Sequence, residues 1–284
     1  MVVINYVGES KKLSKVVLDN SHISYNNLQK LFRKKDIKIN GKRINKDTII
    51  NDGDSIEIYY DDENSIKSMN YGIIYEDDNI LVVDKPAGIE VVSSQNPCLL
   101  ETIKKDKNTD KLFAVHRIDR NTMGLVVFAK NNDAKKELET AFKKHYIKKI
   151  YFALVSGVPP KKEDTVTCFH FVDKVKALAL ISDTKKVGYT KIITRYKIEK
   201  TFENYSLLRV EILTGKTHQI RAVLSHIGCP IIGDGKYGDN AINKMFKAKT
   251  QKLLASEIIL EKVENSKFDY LVNKRFCSKL TILP

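Results

Sequence analysis

One carboxylate in this sequence stands between two guanidinium groups. Asp119 follows Arg117 by two residues and precedes Arg120, and the segment then runs into an apolar stretch at residues 125–128. A polar turn that leads into a β-strand holds a charged side chain on a rigid support, as a reactive group requires. Such a carboxylate can act as a nucleophile or as a general base. A structural ion pair explains the same residues equally well, so the segment alone leaves both interpretations open.

A second group of polar side chains lies further along the chain. Residues 217–227 have the spacing of an amphipathic helix, in which His218 and Arg221 share the polar face. The apolar face carries Ile220, Val223, Leu224 and Ile227. Neither these polar residues nor His116 and His226 have the acidic or thiol partners that a metal site needs. We therefore predict a helix that presents a cation, and we assign no metal and no cofactor.

Residues 116–130 resemble the signature of RluA-type pseudouridine synthases, H-R-L-D-x-x-T-S-G followed by an apolar strand and A-K. Asp119 falls on the catalytic aspartate of that signature. Ile118 replaces its leucine, which is a mild apolar change, and Met123 replaces its serine, which affects a turn contact but leaves the carboxylate in place. The resemblance implies that Asp119 is the catalytic residue of an enzyme that isomerises uridines in RNA.

Two further segments resemble the same family. Residues 149–151 match its K-x-Y element, whose tyrosine, here Tyr151, lies against the target base. Without this match, a tyrosine in a strand would be assigned to the core. Residues 213–221 resemble its T-G-R-T-H-Q-I-R element, in which Lys216 replaces the first arginine. In the family, the counterpart of Arg221 pairs with the catalytic aspartate. The resemblance thus implies a catalytic set of Asp119, Tyr151 and Arg221.

The resemblance also implies how RNA is held. A base inside a stack is out of reach, so the uridine must be flipped out, and Arg117 matches the family arginine that enters the vacated space. We expect the neighbouring polar side chains to contact RNA as well: His116, Arg120, Lys149, Lys216 and His218. Whether Asp119 attacks the sugar or removes a sugar proton stays open. The K-P-A-G run at residues 85–88 is a weaker shared element.

These segments need a framework, and the sequence predicts one rich in strands. Strands are predicted where β-branched and aromatic residues concentrate, namely at residues 73–75, 80–83, 125–128, 150–155, 189–198 and 205–213. The clearest helices are about residues 133–144 and 217–227. We predict an α+β fold for residues 71–284, with a mixed, largely antiparallel sheet flanked by helices.

The N-terminal part differs in size from the rest. The acidic, polar stretch at residues 61–70 indicates a linker, so we predict a small α+β module at residues 1–60. Ser24 can cap a helix in this module. The inner face of the helix would carry Leu28, Leu31 and Phe32. The Asn-Gly pair at residues 40–41 favours a tight hairpin turn, and residues 49–60, with a turn at residues 52–54, offer another strand.

A cluster of basic residues lies within the module: Arg33, Lys34, Lys35, Lys38, Lys42 and Arg43. With its helix and hairpin, the module resembles the small RNA-binding domain first described in a ribosomal small-subunit protein. The resemblance implies that these side chains bind RNA phosphates. The competing interpretation is a solvated surface without a ligand, because lysine runs often have no other role.

The whole chain carries a large positive charge. Lys and Arg number 49 against 35 Asp and Glu, which gives a formal net charge of +14. This excess favours a polyanionic partner, although genome base bias and solubility can produce it too. The 4 cysteines are scattered, and neither an apolar leader in residues 1–20 nor a long apolar run is present. We expect a soluble cytoplasmic monomer without membrane contact.

Together these features predict an RNA pseudouridine synthase. The family layout implies a structured RNA substrate, 23S-type large-subunit ribosomal RNA, with transfer RNA as the alternative. A non-enzymatic RNA-binding or ribosome-assembly factor would not need the complete set of three catalytic residues. An RNA methyltransferase would need a Gly-rich cofactor turn after a strand, which the sequence lacks.

Overall fold

The computed structural model of the chain describes residues 2–21, 23, 25–59, 70–94 and 97–283. The backbone divides into two units, one within residues 1–69 and 93–97, the other within residues 70–92 and 98–284. Ser24 and most of the predicted linker, residues 61–69, lie outside the described residues. None of the helices in the described ranges has both the length and the apolar character that crossing a bilayer needs.

The N-terminal unit places two helices and a small sheet around one apolar core. The helices are α1 (Leu13–Asn20) and α2 (Tyr25–Lys34). The strands are β1 (Val2–Asn5), β2 (Lys11–Lys12), β3 (Ile37–Ile39), β4 (Lys42–Ile44), β5 (Ile49–Ile50) and β6 (Ser55–Ile58). Antiparallel pairing gives the order β1-β6-β3-β4, and β2 pairs separately with β5.

The predicted helix and hairpin of this unit are confirmed. Leu28, Leu31 and Phe32 are buried in the core, and the hairpin turns at Asn40 and Gly41, both with positive φ. The strand segment predicted at residues 49–60 and its turn at residues 52–54 are present, and the turn divides the segment into two strands. The turn around Gly53 (φ +82°) separates β5 from β6, and these strands pair in different sheets.

The second unit consists mainly of strands. They are β7 (Gly72–Glu76), β8 (Ile80–Lys85), β9 (Phe113–Ala114), β10 (Met123–Ala129), β11 (Ile147–Ser156), β12 (Glu163–Asp173), β13 (Leu178–Ser182), β14 (Thr190–Thr201), β15 (Tyr205–Ile212), β16 (Leu253–Leu260) and β17 (Arg275–Cys277). The helices are α3 (Leu99–Asp106), α4 (Asn132–Lys143), α5 (Gln219–His226), α6 (Asn240–Met245) and a 3-10 helix (Ser266–Leu271).

One large sheet runs through this unit. Its strand order is β13-β12-β14-β15-β11-β16-β10-β8-β7, with β9 added to β10 and β17 added to β16. β10 pairs with β16 in parallel, and the other pairings are antiparallel. Apolar clusters cover both faces of its central strands. The predicted α+β fold with a mixed, largely antiparallel sheet is confirmed.

The sequence missed some elements of this sheet. The predicted strands before residue 213 correspond to β7, β8, β10, β11, β14 and β15, and the helix predicted at 133–144 is α4. β12, β13 and β16 were not predicted, although β16 lies at the centre of the sheet between β10 and β11. α5 packs against β13 and β14. The predicted catalytic residues lie before β10 (Asp119), on β11 (Tyr151) and on α5 (Arg221).

Candidate active site

A cleft of about 1230 Å³ opens in the second unit. Its walls come from the loop before β10, from β11 and from the segment that leads into α5. The cleft is lined by all nine residues predicted for this region: His116, Arg117, Asp119, Arg120, Lys149, Tyr151, Lys216, His218 and Arg221. Three segments that are distant in sequence therefore share one surface.

Asp119 is held in a turn whose backbone is fixed at its end. The Thr122 N–H donates to the Asp119 carbonyl at 3.1 Å, and Gln251 Nε2 donates to Thr122 Oγ1 at 2.6 Å in the interior. Gly124 follows with φ +105°, and a Cβ there would lie 2.2 Å from the Ala255 carbonyl oxygen. Only glycine allows β10 to run so close to β16. The loop therefore has little freedom to move the carboxylate.

Lys85 ties the Asp119 loop to the loop after β8. Its buried ammonium donates to the carbonyl oxygens of Pro86, Ile89 and Arg120 at 2.9, 2.8 and 2.9 Å. Burial lowers the pKa of Lys85 to about 7, against the opposing effect of the Asp119 charge. A neutral amine has two N–H groups and could donate to only two of these three oxygens, whereas an ammonium can donate to all three. We therefore infer that Lys85 is charged at neutral pH.

Arg221 lies between two carboxylates. Its Nη1 donates to Asp119 Oδ2 at 2.9 Å, while Nε and Nη2 donate to Asp234 Oδ2 and Oδ1 at 2.6 and 2.9 Å. Burial lowers the pKa of the guanidinium, but these two partners outweigh burial and raise the pKa above its ordinary value. The predicted contact between Arg221 and Asp119 is present, although Arg221 is buried by ion pairs and is not on a solvated face.

Asp234 fixes Arg221 from the side opposite to Asp119. It is 1% exposed, and its Oδ1 also accepts the N–H groups of Lys236 and Tyr237 at 2.9 and 3.2 Å. Burial raises the pKa of Asp234, but the Arg221 guanidinium outweighs burial and holds the pKa below its usual range. Sequence reasoning gave Asp234 no role, even though an acidic residue between two glycines was a signal for a buried turn.

The two oxygens of Asp119 differ in their environment. Oδ2 accepts the Arg221 bond, whereas Oδ1 accepts no hydrogen bond from the described residues. The side chain is 26% exposed, compared with 8% for Arg221. One oxygen is thus bound by the protein and the other is open to a substrate in the cleft.

His218 does not lie on the helix, contrary to the prediction. It precedes α5 in the left-handed conformation, with φ 55° and ψ 21°, and Gln219 begins the helix because its side chain accepts the Lys216 N–H at 3.1 Å. His218 nevertheless faces Asp119, with Nε2 3.9 Å from Asp119 Oδ2. His218 and Arg221 both face Asp119 because of the turn before α5, and not because of helical spacing.

Tyr237 holds the His218 ring from the side opposite to Asp119. The Tyr237 hydroxyl accepts the Ala179 N–H at 2.6 Å and lies 2.9 Å from His218 Nδ1. When the hydroxyl donates its own proton to Nδ1, the imidazole proton lies on Nε2, the nitrogen that faces Asp119. Burial lowers the pKa of His218, although the Asp119 charge acts in the opposite direction.

Tyr151 and Lys149 lie on the same face of β11. They are two residues apart on a strand, so their side chains project into the cleft together. Tyr151 is buried, and burial followed by the Asp119 charge raises the pKa of its hydroxyl. Tyr151 therefore stays protonated at neutral pH and offers an aromatic face and an O–H group.

The remaining predicted residues of the cleft fall into two groups. Arg117, Arg120 and Lys216 are exposed, although Arg120 Nε donates to the Gly88 carbonyl at 2.9 Å. His116 is held in the protein, where its Nε2 accepts the Val127 N–H at 2.9 Å, and burial lowers its pKa to about 3. A neutral His116 bound to the sheet supports the loop and contributes no positive charge to RNA binding.

The basic cluster of the N-terminal unit is mainly exposed. The exposed members are Arg33, Lys34, Lys35, Lys42 and Arg43. Lys38 differs, since it is half-buried and its Nζ donates to the Tyr59 hydroxyl at 2.7 Å. Exposed charges are available for phosphates, whereas Lys38 already has a partner.

Groups of His, Cys, Asp and Glu suited to a metal ion do not occur among the residues that the structure describes. The cleft brings Asp119 together with Arg221, His218 and Tyr151. This set offers one open carboxylate oxygen, fixed cationic support and N–H and O–H donors.

Comparisons with known proteins show the family of the chain. The family described as RNA pseudouridylate synthase matches residues 79–226. An uncharacterized RNA pseudouridine synthase of Mycoplasma capricolum is 35% identical over 273 residues, covering 87% of this chain and 86% of the relative. Ribosomal large subunit pseudouridine synthase C of Vibrio parahaemolyticus is 30% identical over 262 residues, covering 87% and 80%.

A solved structure shows the same fold. Human RNA pseudouridylate synthase domain containing 1 superposes with a TM-score of 0.61 at 19% identity, covering 77% of this chain and 92% of the human chain. At that identity the likeness concerns the fold alone. Because the family model matches more than half of the chain and the two relatives are 30% or more identical over most of their length, the chain belongs to the RNA pseudouridylate synthase family.

Proposed function

We propose that this protein converts specific uridines of large-subunit ribosomal RNA to pseudouridine, with Asp119 as the catalytic carboxylate. The observation that carries the proposal is the arrangement of Asp119, whose Oδ2 is bound by Arg221 while Oδ1 is open to the cleft. Isomerisation moves the sugar bond from N1 to C5 of the same uracil. The atoms of the nucleotide are conserved, so one carboxylate with no redox partner is sufficient.

Asp119 has two routes open to it. It can attack the sugar as a nucleophile or remove a sugar proton as a base. Both routes need the ionised carboxylate, which the buried positive charge of Arg221 favours. Both routes also need a proton to leave C5 and one to reach N1 or its carbonyl neighbour. We assign Tyr151 and His218, which line the cleft with Asp119, to these proton transfers.

Access to the uridine requires that the base leave its stack. Flipping costs roughly a few kcal/mol, which protein contacts must offset. We assign the face of Tyr151 to packing on the flipped base and the exposed Arg117 to the space that the base leaves. Arg120, Lys216 and the exposed basic cluster of the N-terminal unit are assigned to phosphate contacts, which orient RNA without reading its sequence.

Ribosomal RNA is favoured as the substrate by two observations. The Vibrio parahaemolyticus relative is a large-subunit synthase by name, and the net charge of +14 suits a large polyanion. We propose residues 1–60 as an RNA-binding module, 61–70 as a linker and 71–284 as the catalytic domain, in a cytoplasmic protein that acts as a monomer.

The proposal is tested by mapping pseudouridines in total RNA from cells with and without the gene. Cells that carry Asp119→Asn should lose the same sites as the deletion strain, while purified Asp119→Asn should bind the target RNA with nearly unchanged affinity. Asp133→Asn is the matched control, because Asp133 is an exposed carboxylate of the same unit. Retention of every site in the deletion strain, or activity of Asp119→Asn within a few-fold of wild type, would contradict the proposal.

A further inference from the structure

Lys149 is a largely buried residue of the cleft wall, and its cation has no anionic partner among the described residues. It is 9% exposed, and its ammonium makes no hydrogen bond or ion pair with any residue that the structure describes. Its neighbour Lys148, on the opposite face of β11, pairs with Glu211 at 3.5 Å. A buried charge without a partner is costly to maintain. Because Lys149 lines the cleft, this cost indicates that the missing partner is a ligand that binds there.

The charge of Lys149 is not balanced by its described neighbours. Burial lowers the pKa of Lys149, and no carboxylate offsets that effect. The Lys149 charge in turn adds to burial in lowering the pKa of His116 and His145, and Lys216 acts on His145 in the same direction. All four of these residues line the cleft. A neutral ligand atom would leave this field uncompensated, whereas an anion would balance it.

The approach to the ammonium is open. Gly215 lies beside it, and a Cβ at that position would be 3.7 Å from Lys149 Nζ. Glycine thus keeps a side chain away from the ammonium on the cleft side.

The position of Lys149 relative to Tyr151 identifies the anion. Two residues on one strand face are separated by roughly 7 Å, which is the scale of one nucleotide from base to backbone. We propose that Lys149 binds a phosphate of the target RNA strand adjoining the flipped uridine while Tyr151 packs on its base. This inference rests on the proposed function. The Lys149 ammonium binds a single phosphate beside the reacting nucleotide and does not simply add to the general attraction of RNA.

Lys149→Met tests the inference, with Lys148→Met as the matched control. The two variants remove the same charge from adjacent positions of β11, on opposite faces. With a transcript of large-subunit ribosomal RNA, Lys149→Met should lower the slope of log affinity against log salt by about 0.7 to 0.9, the value of one phosphate contact. Lys149→Arg and Lys148→Met should keep the wild-type slope. An unchanged slope for Lys149→Met would overturn the inference.

Thermal melting separates ligand binding from a structural role. Lys149→Met removes an uncompensated buried charge, so its melting temperature should equal or exceed that of wild type. A structural role predicts a lower melting temperature and partial rescue by arginine. A clear loss of melting temperature in Lys149→Met would therefore count against a phosphate site.

The phosphate itself is located with short RNAs that contain the mapped uridine. Each RNA carries one neutral methylphosphonate at a phosphate near that uridine. One adjoining substitution should weaken binding by wild type and leave binding by Lys149→Met unchanged. Equal losses for both proteins at every position would refute the inference. If wild type binds these RNAs but forms no pseudouridine, the proposed function is wrong, while the salt slopes still report on Lys149.

Discussion

Replacing Asp234 with asparagine removes the charge that fixes Arg221 while keeping the shape of the side chain. Asp234 accepts two bonds from Arg221 and two from backbone N–H groups, and it is 1% exposed. Breaking a buried ion pair by removing one partner costs about 3 to 5 kcal/mol. At roughly 2 to 4 °C per kcal/mol for a domain of this size, the melting temperature should fall by roughly 6 to 20 °C.

The pH dependence of this effect has a defined sign. The folded-state pKa of Asp234 is below its ordinary value, which is about 3.9 in an unfolded chain. Its contribution to stability is therefore complete above the unfolded value and is lost as pH falls through the folded pKa. The difference in unfolding free energy between wild type and Asp234→Asn should be constant above about pH 5 and should shrink below about pH 4.

Urea unfolding between pH 3 and 8 measures this difference, and single-turnover rates on the mapped RNA report the effect on catalysis. Asp133→Asn, which changes an exposed carboxylate, should alter stability by less than about 0.5 kcal/mol. A cost below about 1 kcal/mol for Asp234→Asn, or a difference that persists unchanged at pH 3, would refute the role given to this ion pair.

Two further predictions concern positions outside the Asp119–Arg221–Asp234 group. Tyr237→Phe removes the hydroxyl beside His218 Nδ1, so it should cost about 1 to 3 kcal/mol of stability and slow single-turnover isomerisation; unchanged rates would show that the His218 proton position is unimportant. Lys42→Gln removes an exposed charge of the N-terminal unit, so it should lower the salt slope of RNA binding by roughly one phosphate contact. Lys38→Gln should lower it less, because Lys38 already pairs with Tyr59; equal slopes for both variants and wild type would contradict the role of the module.

The site was predictable where a local motif carries the chemistry. Asp119 and Arg221 are 102 residues apart, and no periodicity links such distant positions, so their contact followed only from the resemblance to a family. Asp234 escaped prediction because a buried carboxylate and a solvated one look alike in sequence. His218 was misplaced because helical spacing was extended through residues 217–218, whereas the helix starts at Gln219, two residues later than predicted.

The fold was predictable where strands alternate or are strongly β-branched. β16 was missed because it is buried on both faces, so Leu253–Leu260 lacks a polar period and resembles any short apolar run. Its neighbours β10 and β11 were predicted, but their order was not, since strand pairing across more than 100 residues depends on packing and not on local pattern. The Lys85 bonds were likewise invisible, because all three acceptors are backbone carbonyls.

The late position of β16 in the chain has a consequence for protein synthesis. β16 lies between β10 and β11, and Gln251, just before it, secures the turn that carries Asp119. Ribosomes add about 5 to 20 residues per second, so the earlier strands emerge seconds before their central neighbour. During that interval the nascent chain has two unpaired strand edges, which are prone to aggregation, and its active site is incomplete. Catalytic competence should therefore appear only after residues 251–260 have been synthesised.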